Sequence, residues 1–233
     1  VLGVPAAGLT PMAAPVPAAA LPRAAPAAGP APAGDRLLVA AFMAVTIASG
    51  IAGAAGYDTT RDVAQAFAIR RFDAFPLHGP MFASAFHLGP VWFYVLALPL
   101  FVQQSWLAVA LFVPALGSLQ FPLAYAAGRR LVDRRLGLLW CALLALPGWG
   151  SFQLIGFAHT NVVPACTMLV LYALVRLAQD RRPAWLVAAA GALSLAVHAH
   201  PTTAALAPAV AAVALFVLRD AGVMARWSAL ALA

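Results

Sequence analysis

Two acids, Asp58 and Asp62, stand one helical turn apart in the stretch "GYDTTRD", with Arg61 beside the second of them. If residues 59–71 are helical, the two carboxylates share a face. A carboxylate in such a place could act as general base on an acceptor hydroxyl or hold a divalent cation, and Asp58 is the candidate for both roles. A helix-capping or merely solvated Asp explains the same residues more simply, and residue chemistry alone favours that reading.

Downstream, His78-Gly79-Pro80 and His87-Leu88-Gly89-Pro90 place a Gly-Pro after each histidine. That pairing stiffens the chain and lets its backbone approach a bound group closely. Histidine can donate to phosphate oxygens or carry a proton. An interfacial ring beside an aromatic belt of Trp92, Phe93 and Tyr94 accounts for His87 about equally well. Two further polar groups are His159 with Asn161 in "GFAHTN", and His198 with His200 in "HAHPT". Histidines at i and i+2 point apart on a helix, so the second group is no helical metal pair. Arg61, Arg70 and Arg71 carry guanidinium groups well shaped for a lipid-linked phosphate, and equally suited to anchoring in headgroups.

The elements that must position these residues follow from composition. Of 233 residues, 64% are hydrophobic and 9% charged, with a mean hydropathy of +0.91. Soluble domains carry about 25% charged residues, so a water-facing surface cannot be built from this chain. Uncharged runs of 21 residues (37–57), 55 (74–128), 40 (136–175) and 36 (183–218) separate the charged clusters. A helix needs about 20 apolar residues to cross the hydrocarbon core. The fold class is therefore an all-α polytopic membrane protein. The net charge of +7 comes from 14 arginines grouped mostly in short clusters between the apolar runs. That distribution fits cytoplasmic loops rather than a nucleic-acid-binding face. Cys141 and Cys166 both lie within apolar runs and read as small buried residues.

Along the chain, residues 1–34 are mostly Ala, Pro and Gly, with Arg23 the one charge, and read as a disordered tail. Residues 35–233 then form the N-terminal part of a membrane domain, expected to continue beyond Ala233. Leu37 to about Ala55 is the first crossing. The polar loop that follows should carry an amphipathic helix on the membrane surface over "TTRDVAQAFAIRRF", capped by Thr59 or Thr60. The last two apolar runs read as hairpins with arginine-bearing bases, so all five histidines should face the compartment opposite the arginines. One count conflicts. Asp58 and Arg129 should lie on opposite faces, yet residues 90–128 look like two crossings split near Gln103-Gln104-Ser105. Either Pro90–Val102 is a short re-entrant or surface-lying helix, or one arginine loop breaks the charge rule.

The order of these pieces resembles the integral-membrane glycosyltransferases of GT-C fold that use polyprenyl-phosphate sugars. That superfamily includes protein O-mannosyltransferases and the transferases that add aminoarabinose to lipid A. The acidic motif after the first crossing is matched by Asp58 in "GYDTTRD". The His/Lys-Pro/Gly-Pro motif entering the next helix is matched by "HLGPVWFYVLALPLF". "LAYAAGRRLVDRRLGLLWCALLALPGW" and "GFAHTNVVPACTMLVLYALVRL" match the later segments, so the likeness covers Asp58 to about Leu177. Three departures stand out. Asp58-Thr59 replaces the family's Asp-Glu pair, Asn161 stands where many members have Asp, and "LFVPALGS" has no Arg before the third helix.

The resemblance implies a multi-helix bundle of GT-C type with short surface helices in the loop after the first crossing. It implies sugar transfer with inversion from a polyprenyl-phosphate donor to a lipid, glycan or protein acceptor, at the external face of the plasma membrane. Asp58 would be the base or the ligand of a divalent metal. Arg61, Asp62, Arg70, Arg71, His78, His87, His159 and Asn161 would bind substrate. The main rival is a transporter or flippase, but such proteins place ionisable residues within their spans. Here the charges collect in one loop outside them.

Overall fold

The structure is a computed structural model that describes residues 29–53, 56–82, 85–146 and 158–220, together with 222, 224, 225, 227 and 228. Most of the 1–34 tail lies outside the described residues, as do Gly156 and Phe157 of "GFAHTN". The uncharged run after Arg36 folds as helix α1 (Ala33–Ala52), which starts just inside the expected tail. Gly56 opens α2 (Tyr57–Arg70) with its backbone alone. Neither Thr59 nor Thr60 caps this helix. Thr59 is buried, and the Thr60 hydroxyl donates to the Gly56 carbonyl at 3.1 Å.

A small antiparallel ladder follows, β1 (Met81–Phe82) against β2 (Phe86–His87), in register Met81 to His87 and Phe82 to Phe86. The chain then enters α3 (Val91–Val102), α4 (Trp106–Ser118), α5 (Gln120–Leu131) and α6 (Arg134–Ala145). After a 3-10 turn at His159–Val162 come α7 (Val163–Asp180) and α8 (Pro183–Ala199), then a second 3-10 turn at Pro201–Leu206 and α9 (Ala207–Leu218). Local chemistry sets several boundaries. Ser105 accepts from the Ala108 N–H at 3.2 Å and Asp133 from the Leu136 N–H at 2.9 Å, two side-chain N-caps. Pro122 falls in the first turn of α5, where its missing N–H leaves no hydrogen bond unmade.

Among the described residues, four segments are long and apolar enough to cross a membrane: Ala33–Ala52, Trp106–Leu131, His159–Asp180 and Pro201–Leu218. At 1.5 Å per residue α3 is about 18 Å long, short of the ~30 Å hydrocarbon core. Trp106–Leu131 runs on from it as one long segment interrupted only by the turn at Leu119. By length and composition, one such segment lies between the loop bearing Asp58 and Arg129, the number the short-helix option expects.

The surface helix differs from expectation in what covers it. Val63, Ala66 and Ile69 of α2 are buried in one cluster with Trp92, Phe93, Leu96, Ala97 and Leu100 of α3. The apolar stripe of α2 therefore faces protein. The aromatic belt changes in the same way, since Trp92 and Phe93 are core residues and the Tyr94 hydroxyl donates to the Pro76 carbonyl at 3.1 Å.

At the arginine end, the buried Asp35 accepts from the Tyr125 hydroxyl at 2.7 Å and from Arg134 at 2.9 Å, tying α1 to α5 and α6. The α5–α6 hairpin closes on glycines: a Cβ on Gly128 would stand 2.7 Å from the Gly137 backbone, and one on Gly137 would stand 2.6 Å from the Tyr125 carbonyl. Cys141 and Cys166 are free and buried, as expected.

Two outcomes test this architecture. Gly128→Ala should force α5 and α6 apart and lower stability by about 1–3 kcal/mol, read as a lower midpoint of thermal unfolding in detergent. An unchanged midpoint would refute the close packing. Cysteines introduced singly at exposed Arg135 and at Thr160 should react with an impermeant thiol reagent from opposite sides of a sealed vesicle, and same-side labelling would overturn the crossing count.

Candidate functional site

The site is built at the end of α2 that follows the first crossing. Asp58 lies in the first turn with its side chain 57% exposed, and Arg61 Nη1 meets its carboxylate at 2.9 Å. One turn further, Asp62 is 1% exposed. Arg61 donates to its Oδ1 from Nε at 2.9 Å and from Nη2 at 2.7 Å, and the Trp92 indole N–H donates to Oδ2 at 3.0 Å. His159 Nδ1 stands 3.5 Å from the same Oδ2, an electrostatic contact longer than a well-formed hydrogen bond. A single guanidinium thus bridges an exposed and a buried carboxylate. Burial pulls the Arg61 pKa down, but the hydrogen bond and charge of Asp62, with the charge of Asp58, outweigh that and leave it raised.

This geometry revises two expected roles. Asp62 is turned to protein donors from α2 and α3 and toward the 3-10 turn before α7, and its burial keeps it from a substrate. The Arg61 fork is directed at the two carboxylates, with Nε, Nη1 and Nη2 all engaged, so a carrier phosphate would have to compete with both acids. Trp92, expected as a belt residue, instead donates to the buried acid of this site. The available signal was the indole N–H, which a fully buried Trp must satisfy.

Arg70 and Arg71 occupy the other end of α2, about 18 Å from Asp58 along the helix axis. Arg70 donates to the Leu100 carbonyl at 3.1 Å and lies over the Phe101 ring at 4.9 Å. It thus satisfies a carbonyl in the last turn of α3. Arg71 pairs with Asp73 at 2.7 Å. The structure does not bring either one to the Asp58 site.

The two histidine motifs meet each other. The Gly79 N–H donates to the Leu88 carbonyl at 2.7 Å and the Leu88 N–H donates to the Pro80 carbonyl at 2.8 Å, so the repeats are opposite strands of one hairpin. A Cβ on Gly79 would collide with the Gly89 backbone, so only glycine permits that approach. His87 Nδ1 lies 3.1 Å from the Gly79 carbonyl, and the exposed rings of His78 and His87 are 5.6 Å apart.

The tips of the later hairpins close on this loop. The His198 ring sits directly against Gly89, filling the space a Cβ would take. His200 meets Phe82 edge-on at 5.5 Å. Asn161 is buried, its Oδ1 accepting from the Ala158 N–H at 3.0 Å while its own N–H donates back to the Ala158 carbonyl, also at 3.0 Å. Its side chain shapes the turn that presents His159. Burial and then the nearby His159 lower the His200 pKa below its usual 6.5. The neutral ring is therefore the form this tip favours. Its contribution to stability is present above pH 6.5 and is lost as the pH falls below that value.

All five histidines thus belong to one connected end of the bundle: His78 beside His87, His198 against Gly89 of the same loop, His200 near His159, and His159 facing Asp62. Among the described residues, no three His, Cys, Asp or Glu side chains form a group that could hold a metal ion. Asp58, named above as a metal ligand, faces a guanidinium instead. The donor set does not fit a divalent cation. It fits a site that holds an exposed carboxylate, Asp58, in place against a guanidinium.

Comparison with curated proteins gave no match, and neither did comparison with solved structures. A family model described as dolichyl-phosphate-mannose-protein mannosyltransferase matches residues 87–233, well over half the chain, from His87 through all the later hairpins. The acid-bearing helix precedes the matched region, and the histidine loop opens it. With this match over a bundle of membrane-length helices, the chain belongs to the dolichyl-phosphate-mannose-protein mannosyltransferase family of GT-C membrane glycosyltransferases.

Proposed function

We propose that this chain transfers a sugar from a polyprenyl-phosphate donor to an acceptor hydroxyl, with inversion, at the membrane face where Asp58 and the histidines gather. In this reading that face is the exterior of the plasma membrane. The arginine end lies in the cytoplasm, as the charge distribution favours. The acceptor is a lipid, a glycan or a protein.

One observation carries the proposal: Asp58 is an exposed carboxylate whose position is fixed by an arginine that a buried acid holds from behind. A lipid-linked donor stays in the bilayer, so its sugar must be met at the surface, by groups at the ends of helices. The acceptor oxygen attacks the anomeric carbon from the face opposite the phosphate. The bond from that carbon to the phosphate oxygen breaks, its electron pair leaves with the carrier, and the acceptor proton passes to Asp58. Arg61 holds the Asp58 carboxylate in place, and Asp62 with Trp92 holds Arg61. His78 and His87, exposed side by side on the hairpin, are placed to donate to the carrier phosphate. Arg70 and Arg71 are left to structural work at the far end of α2.

Asp58→Asn should lower sugar transfer by about 10²–10⁴-fold, the usual contribution of a general base, while the protein inserts and folds normally because the side chain is exposed. Full activity in purified Asp58→Asn protein would sink the assignment. Gly89→Ala should displace the His198 ring and loosen the junction of loop and hairpin tip. Transfer should fall several-fold although the substituted residue has no reactive group. Unchanged transfer would separate that junction from function.

A further inference from the structure

We propose that His159 is a second substrate-contacting group of this site, with its Nε2–H donating a hydrogen bond to the carrier phosphate as that phosphate departs. The inference rests on the reading of the chain as a polyprenyl-phosphate sugar transferase and deepens it.

The ring is held for such a role. Its side chain is 14% exposed, so its orientation is set by the protein around it. Nδ1 is fully enclosed and faces Asp62 Oδ2 at 3.5 Å. Trp92 fixes that oxygen from the other side at 3.0 Å. Nδ1 therefore points inward whichever protonation state the ring adopts. Nε2 has no partner among the described residues and is not enclosed, which leaves it as the nitrogen open to a ligand. In its protonated form the ring carries a hydrogen on both nitrogens, so it can face Asp62 with Nδ1 and donate from Nε2 at the same time.

The surroundings supply a need for such a donor. Asp58, Arg61 and Asp62 together carry one net negative charge, and each nitrogen of the Arg61 guanidinium already meets one of the two acids. Among the described residues, the other titratable group recorded against His159 is His200, after α8. α4 carries no charged residue, and α7 carries none before Arg176. Among the described residues around His159, the groups left to give a phosphate positive charge are the histidines. The phosphate's need grows during the reaction. The donor is a phosphodiester with one negative charge. When the bond from the anomeric carbon to the phosphate oxygen breaks, the electron pair stays on the phosphate, which leaves as a monoester with two. His159 keeps its proton throughout, since the acceptor proton goes to Asp58. A preset donor aimed at charge that develops in the transition state lowers the barrier.

The test uses the full chain in lipid nanodiscs with a sugar-free polyprenyl phosphate, the leaving product, as the probe. Binding should be compared between wild type, His159→Gln and His159→Lys from about pH 5 to 8, the range over which imidazole gives up its proton. His159→Gln should bind about tenfold more weakly at the acid end, the loss expected for one charge-assisted hydrogen bond, and the gap should close toward pH 8. His159→Lys, which keeps a cation across the range, should bind tightly throughout. A merely structural histidine would not give this crossing of pH profiles. Equal affinity and an equal profile in wild type and His159→Gln would overturn the inference while leaving sugar transfer intact. A wild-type chain that neither binds the probe nor transfers sugar would instead overturn the function itself, and this inference with it.

Discussion

A carboxylate with almost no access to water organises this protein. Removing an ionised acid from water costs several kcal/mol unless donors replace the lost hydration. At Asp62 those donors come from Arg61 on its own helix and from Trp92 on α3, with His159 opposing from the turn before α7. Satisfying one acid therefore fixes three pieces of chain that are far apart in sequence. It explains why α2 lies with its apolar stripe on α3, and it sets where the Arg61 fork points. Asp58 is then presented to solvent by an arginine that cannot swing away.

The hairpin bearing the two histidine motifs solves a different problem. It has to bring two rings to one surface and still accept the tip of the α8–α9 hairpin against its base. Glycine makes both approaches possible. Gly79 lets the opposite strand close in, and Gly89 lets the His198 ring rest on the backbone. The prolines that follow stiffen the same positions. A larger residue at either glycine would push apart the loop and the helix tip that packs on it.

Charge is divided between the two ends of the bundle. Asp35, Tyr125 and Arg134 lock α1 to the α5–α6 hairpin at one end, where Gln179 also donates to the Arg130 carbonyl at 2.9 Å. At the other end stand Asp58, Asp62 and the histidines, groups that can hold or pass a proton. An apolar bundle separates the two sets, so each is tuned by its own neighbours.

Much of this was legible in the residues themselves. The uncharged runs fixed a polytopic helical protein, because no soluble surface can be made from so few charges. The helix over "YDTTRDVAQAFAIR", the gathering of all five histidines at one end and the order of motifs shared with the family also follow from the sequence. What it could not supply was the direction in which side chains face once helices pack. Arg70 and Arg71 look like Arg61 in composition and charge, yet one helix length carries them away from the site. Asp62 looks like Asp58, and only docking α2 on α3 makes one a buried anchor and leaves the other exposed. Trp92 reads as an interfacial aromatic until a carboxylate from thirty residues earlier is found against its N–H. Periodicity and charge fix what a segment can become and which side of a bilayer it prefers. Which polar atom meets which is decided by packing between segments, because a buried hydrogen bond is set by three-dimensional approach and leaves no period in the chain.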